Sequence, residues 1–135
     1  MKRNVKRILL VEPEPVVAEV TAFRLELLGH SVETVVNPVE ALRKAKEISP
    51  DLIITDLTLQ EGDATGFIES LSNQEACMDV PILVLSVDAD LDRVAAVHRA
   101  GAADFLLIPF PPEVLGTKVA SLLARPRRHK ELPAR

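Results

Sequence analysis

The sequence has a single cysteine, no tryptophan and no tyrosine among its 135 residues. Cys77 alone cannot close an internal disulfide and has no second thiol with which to build a metal cluster, which fits a reducing compartment. It reads as a packing residue. No apolar stretch approaches the roughly 18 residues that a membrane span requires, and Met1 to Arg7 carries charge without the apolar block of a secretory signal. A cytoplasmic protein with no membrane partner is expected. Internal repeats, low-complexity blocks and Gly/Ser linkers are missing as well. With 47% hydrophobic residues and a mean hydropathy of +0.17, the chain is long enough for one well-buried core but not for two.

Charge is unevenly spread. Nine of the sixteen basic groups lie at the ends, in Lys2, Arg3, Lys6 and Arg7 and in Arg125, Arg127, Arg128, Lys130 and Arg135. Residues 8–124 keep seven basic against nineteen acidic side chains, a net charge of −12. Such a body repels nucleic acid. The ends read as a basic extension over residues 1–6 and a mobile basic tail over 125–135, flanking one domain at 7–124.

Within that domain, strand and helix patterns alternate. Ile8 to Val11, Leu52 to Thr55, Val80 to Ser86 and Phe105 to Ile108 are nearly continuous in apolar residues, as parallel strands covered on both faces must be. Ser31 to Val35 alternates polar and apolar, so it is expected at an edge. Between them, Val16, Val20, Phe23 and Leu27 recur at spacings of four, three and four, and Leu115, Val119 and Leu122 repeat the rhythm. Each stripe is expected to face the sheet. Weaker helical stretches run from Pro38 to Ile48, Gly66 to Glu75 and Leu91 to Ala100, with Asn37 as an N-cap before Pro38 and Gly29 and Gly101 as stops. Five strands alternating with five helices predict an α/β, flavodoxin-like parallel sheet of order 2-1-3-4-5 with helices on both faces.

In such a sheet the binding crevice lies at the carboxyl ends of the strands, near the point where strand order reverses. Glu12-Pro13-Glu14, Asp56, Ser86 and Ile108-Pro109 follow the first, third, fourth and fifth strands and should converge there. His30, His98 and His129 lie elsewhere and read as surface residues. No acid/base or metal constellation emerges from them.

Four segments, ILLVEPEP, PDLIITDLTL, PILVLS and GAADFLLIPF, in this order and spacing at strand ends, resemble the receiver domains of two-component response regulators of the chemotaxis-regulator type. The resemblance covers about residues 6–124. It implies a signalling module rather than an enzyme, with Asp56 as the carboxylate that accepts a phosphoryl group from a histidine kinase. A strand-end carboxylate suits in-line attack on phosphorus when a metal ion and a cation offset charge on the transferring oxygens. The resemblance makes Ser86 the hydroxyl that bonds the phosphoryl oxygen, Phe105 the aromatic that moves with it, and the Ile108–Pro109 bond cis. The residues by themselves leave blander roles open: Asp56 as a turn cap, Ser86 as a hydroxyl bonding backbone, Phe105 as a core aromatic.

Two positions depart from the family pattern. Receivers carry an acidic pair after the first strand, the second member of which binds magnesium directly. Here that pair is Glu12 and Pro13, and proline has no side-chain oxygen for a hard cation. Glu14 could substitute only with a changed backbone path. At the fifth strand the lysine before proline is replaced by Ile108, which cannot neutralise phosphate. Magnesium binding, through Asp56 and Thr58 by family position, is expected to be weak or absent. A softer difference is the loop after Asp56, LTLQEGDATGF, about two residues longer than usual and of unpredictable shape. In it Glu61 and Asp63 read as solvated acids or as a lining of the crevice.

Glu12 and Asp56 should be neighbours, and two carboxylates about 4 Å apart at an effective dielectric near 20 repel by roughly 4 kcal/mol. A cation, a shared proton or simple separation would relieve this. The expected function is a single-domain receiver in phosphorelay signalling with impaired phosphorylation at Asp56. The alternative is a pseudo-receiver that binds proteins independently of phosphorylation. A histidine kinase or a downstream signalling protein is the expected partner, and a homodimer is compatible with the sequence. Flavin binding fits poorly, because Glu12 and Glu14 would repel a flavin phosphate.

Overall fold

Residues that alternate between two apolar environments build the central layer of this protein. In the computed structural model, which describes residues 5–59, 62–88 and 90–126, β1 (Arg7–Val11), β2 (Ser31–Val35), β3 (Leu52–Asp56), β6 (Ile82–Ser86) and β7 (Asp104–Leu107) form one parallel sheet in the order β2-β1-β3-β6-β7. Counted among these five strands alone, the order is 2-1-3-4-5, the flavodoxin-like topology expected from the sequence.

Successive side chains of each strand enter opposite layers. Leu9, Val11, Ile53, Ile82 and Val84 pack beneath α2 (Pro38–Ile48), α3 (Thr65–Asn73) and α4 (Leu91–Ala100). Ile8, Leu10, Leu52, Ile54, Leu83 and Leu85 pack beneath α1 (Pro15–Leu27) and α5 (Pro112–Leu123). Each such side chain, withdrawn from water, contributes about 2 kcal/mol before entropy is counted. β2 pairs only with β1, and only Val35 in it is buried, so it is the edge strand that its alternation predicts.

Local chemistry sets the helix ends. Asn37 Oδ1 accepts the Glu40 amide at 2.9 Å and Pro38 occupies the first turn of α2. α2 ends instead on Ser49 in the left-handed region, with φ of 48°, where the sequence offers no glycine. α4 stops at Gly101, whose φ of +129° requires a residue without a Cβ.

The α1 stripe is a correction. Val16, Val20, Phe23 and Leu27, expected on the sheet, are 65%, 45%, 59% and 70% exposed. The face of α1 that meets the sheet is Ala18, Thr21 and Leu25. α1 is apolar on both sides, so periodicity alone selects the larger side chains. The smaller Ala18 and Thr21 are the ones that let the helix lie close to the strands. The α5 stripe of Leu115, Val119 and Leu122 is buried as expected.

The long loop after Asp56 is folded. Thr58–Leu59 (β4) pairs antiparallel with Gly62–Asp63 (β5), and Leu57 and Leu59 anchor this small hairpin in the core. Residues 60 and 61, including Glu61, lie outside the described residues, as do 1–4 of the basic extension, 127–135 of the tail and His129. His98 is exposed, whereas His30 is partly buried and burial lowers its pKa.

Candidate functional site

The sheet register creates the site. Val11 lies opposite Thr55, so one residue further on Glu12 leaves β1 beside Asp56, the last residue of β3. Asp56 in turn lies opposite Leu85, one residue before Ser86 at the end of β6, and Ser86 pairs with Leu107, one residue before Ile108. The Ile108 amide donates to the Ser86 carbonyl at 2.7 Å. Glu12, Asp56, Ser86 and Ile108 thus occupy the carboxyl end of the sheet at the reversal of strand order, where ligands of such folds bind.

Glu12 is the most perturbed of these groups. It is 2% exposed; its Oε2 accepts the Glu14 amide at 3.1 Å, while its Oε1 is buried without a partner. Burial pushes its pKa up to about 7 against the pull of the Glu14 amide, with the neighbouring Asp56 carboxylate raising it further and Glu14 adding a smaller repulsion. Protonation removes a buried charge and turns an orphaned acceptor into a donor facing the Asp56 carboxylate. A shared proton is therefore the form of relief that this geometry favours for the two acids.

Glu14 is committed elsewhere. It is exposed and N-caps α1, Oε1 accepting the Val16 amide at 3.2 Å, as the path through Pro13 and Pro15 dictates. Asp56 is partly exposed and its Oδ1 accepts the Thr58 amide at 2.9 Å, a contact that fixes the start of the β4–β5 hairpin. Asp63 performs the same turn-closing role on Thr65 at 3.0 Å and is exposed.

Ser86 is buried and its Oγ accepts the Asp88 amide at 2.9 Å. Phe105 is partly buried and packs against the cluster beneath α2, α3 and α4. The Ile108–Pro109 bond is cis. Ile108 packs against the opposite cluster, beneath α1 and α5, and lines a groove of about 320 Å³ with Val16, Val20, Leu85, Pro109 and Phe110.

Sequence reasoning missed one ion pair near this site. Arg93 on α4 reaches back to Asp88 at 2.7 Å. Its signal is weak, because five residues is not a helical contact spacing and Asp88 precedes the helix.

The donors present do not suit a magnesium ion. Among the described residues no three His, Cys, Asp or Glu side chains are grouped to hold a metal. Pro13 supplies no side-chain oxygen and Glu14 is engaged as a cap. Two carboxylates, one with a raised pKa, remain where magnesium wants a near-octahedral oxygen shell.

Comparison with known proteins identifies the fold and the family. Over 122 residues the chain is 30% identical to the DNA-binding dual master transcriptional regulator RpaA of Synechocystis, covering 90% of this chain and 51% of that protein. It is 33% identical to the alkaline phosphatase synthesis transcriptional regulatory protein PhoP of Bacillus subtilis, covering 89% and 49%. The chain spans about half the length of the curated relatives it matches. Among solved structures, a response regulator from Chloroflexus aurantiacus superposes with a TM-score of 0.85 at 30% identity, covering 90% of this chain and all of that one. The receiver domain of the sensor histidine kinase PA1611 from Pseudomonas aeruginosa, solved with magnesium in its active-site cleft, superposes at 0.82 with 29% identity, covering 90% and 99%. Since the response regulator receiver domain matches residues 8–120, most of the chain and all five strands of the sheet, this protein belongs to the receiver domain family of two-component signalling.

Proposed function

We propose that this receiver transfers phosphate to Asp56 poorly, because the crevice lacks two groups that would stabilise charge on the transferring oxygens. The observation that carries this reading is Ile108, an aliphatic side chain packed into an apolar cluster at the end of β7, where receivers place a lysine. Pro13 adds to it by removing a magnesium ligand, and Glu14 is held at the helix cap. If each preorganised charge-stabilising group is worth roughly 10²-fold in rate, losing both independently slows transfer by about 10⁴-fold. Magnesium binding at Asp56 and Thr58 is correspondingly weak. Where modification does occur, Ser86 and Phe105 are the switch pair.

A second reading is supported by Glu12. Its orphaned oxygen and raised pKa mean that a proton can hold the acidic pair together without metal or phosphate. On this reading the chain is a cytoplasmic binding module that meets a kinase or a downstream signalling protein in a single, phosphorylation-independent state.

Acetyl phosphate labelling tests the first reading. Pro13→Asp with Ile108→Lys restores a ligand and a cation together, and the double variant should label far faster than the parent, with the gain lost on Asp56→Asn. Each single change recovers only part, because both groups act on one transferring phosphoryl group. An unmodified chain that labels at Asp56 as fast as ordinary receivers would overturn this reading.

A further inference from the structure

The outer face of α1 has a chemistry that the crevice does not explain. Val16, Val20, Phe23 and Leu27 are exposed, and their four-three-four spacing is that of a coiled-coil seam, with Val16 and Phe23 at d positions and Val20 and Leu27 at a positions. The remaining positions agree with this register. Ala18 and Leu25 fall at f, opposite the seam, and are the residues buried against the sheet. Glu19 and Glu26 fall at g and Arg24 at e, flanking the seam, and a groove of about 630 Å³ beside it is lined by Glu19, Val20, Phe23, Arg24, Leu27 and Pro112. Among the described residues neither Glu19 nor Arg24 takes part in an ion pair within the chain.

We infer that the occupant of this seam is α1 of a second copy of the chain, packed parallel and in register about a two-fold axis. The flanking charges select that arrangement. In a parallel two-stranded seam a g residue meets the e residue five positions further along the other helix. That offset sets Glu19 against Arg24 of the second copy, and the two-fold axis makes the contact twice. Antiparallel packing would bring Glu19 beside Glu26 of the other copy, two like charges at the rim.

The apolar residues explain why association is favourable. Four large side chains per copy, exposed in the monomer, leave water together, and α1 is already folded, so no helix nucleation cost is incurred on docking. The contact is short, thirteen residues of helix per copy, and smaller than the about 800 Å² per partner of a standard stable interface. It therefore forms a weak, concentration-dependent dimer. None of the four seam residues or the two flanking charges is Asp56, so association does not require a phosphorylated Asp56.

Sedimentation velocity on the full 135-residue chain tests this. The weight-average mass should rise from the monomer value of 14.8 kDa toward twice that value as concentration increases into the hundreds of micromolar. Phe23→Glu, at an exposed position and with its fold checked by circular dichroism, should abolish the rise. Glu19→Arg and Arg24→Glu should each weaken the dimer at least tenfold, because each places like charges at both symmetric contacts. An equimolar mixture of those two variants should recover parental association, since every contact across the seam is again of opposite sign. A chain that stays monomeric at every concentration overturns the proposal and gives the seam to a helix of a different protein. A dimer that survives Phe23→Glu, or a mixture that fails to recover, also overturns it.

Discussion

Glu12, buried at the end of β1, and Asp56, at the end of β3, are two acids that meet across one strand pair, and the pKa of Glu12 stands at about 7 as a result of burial first and of Asp56 second. The folded protein thus holds this proton more tightly than the unfolded chain, whose glutamate titrates near 4.5. The stability it contributes is fully present below about pH 4.5 and is lost as pH rises through about 7, by up to about 1.4 kcal/mol per pH unit crossed. Asp88 does not interfere in this window. The Asp90 amide and then Arg93 lower its pKa, so its contribution is lost only in more acidic solution. His30 opposes Glu12 in the same window, because burial lowers its pKa and so favours the fold as pH rises. Urea midpoints of the parent should therefore fall between about pH 5 and about pH 8 relative to those of Glu12→Gln, which faces the same Asp56 and Glu14 without titrating and keeps only the His30 rise. Parallel slopes for the two proteins would show that Glu12 is not the titrating group.

Magnesium should bind weakly. Calorimetry on the parent at millimolar metal should detect little heat, because Pro13 offers no oxygen and the buried Glu12 must release a proton before it can serve as a ligand. Pro13→Asp should raise the affinity at least tenfold and should release fewer protons per ion bound than the parent, as the added carboxylate is already ionised. Submillimolar affinity in the unmodified chain would contradict the role assigned to Pro13.

On α1, two leucines separated by a single residue should behave in opposite ways. Leu25 is fully buried under the sheet and Leu27 is 70% exposed. Leu25→Ala should cost about 2–5 kcal/mol, a buried-cavity value, whereas Leu27→Ala should change monomer stability by less than about 0.5 kcal/mol. Chemical denaturation at low protein concentration separates the two. Equal costs would mean that α1 is turned so that its larger side chains face inward.

This pair also shows where the sequence stops being informative. The sheet was legible because β1, β3 and β6 are nearly continuous in apolar residues and β2 is not, which sets those three inside and β2 at an edge. β7, read as equally apolar, is the other edge, and the pattern did not mark it as one. The strand-end rule then named Glu12, Asp56, Ser86 and Ile108 before any contact was known. α1 was not legible in the same way. Four large apolar residues mark its outer face, while the inner face has one, Leu25, beside the smaller Ala18 and Thr21, and periodicity weighs size rather than fit. The β4–β5 hairpin was invisible because its pairing rests on two residues per strand, with Gly62 at a φ of +121°, too short for any periodic signal. The protonation of Glu12 depends on an orphaned oxygen, which no spacing of residue types reveals.

Gly101 supplies the last test, because two separate costs meet at one atom. It closes α4 at a φ of +129°, and a Cβ placed on it would stand 2.1 Å from Ser72 Oγ and 3.2 Å from Ser72 Cβ on α3. Ser72 is held there by donating to the Ala100 carbonyl at 3.2 Å, so it cannot turn away without giving up that bond. Gly101→Ala should lower stability by about 2 kcal/mol or more, adding left-handed backbone strain to overpacking between α3 and α4. Ser72→Ala should cost about 1 kcal/mol or less, the value of one partly buried hydrogen bond. In the double variant the closest clash disappears while the strain remains, so its cost should be clearly smaller than the sum of the two single costs. Strict additivity in urea denaturation would mean that Ser72 already moves aside in Gly101→Ala, and that backbone conformation alone accounts for the glycine.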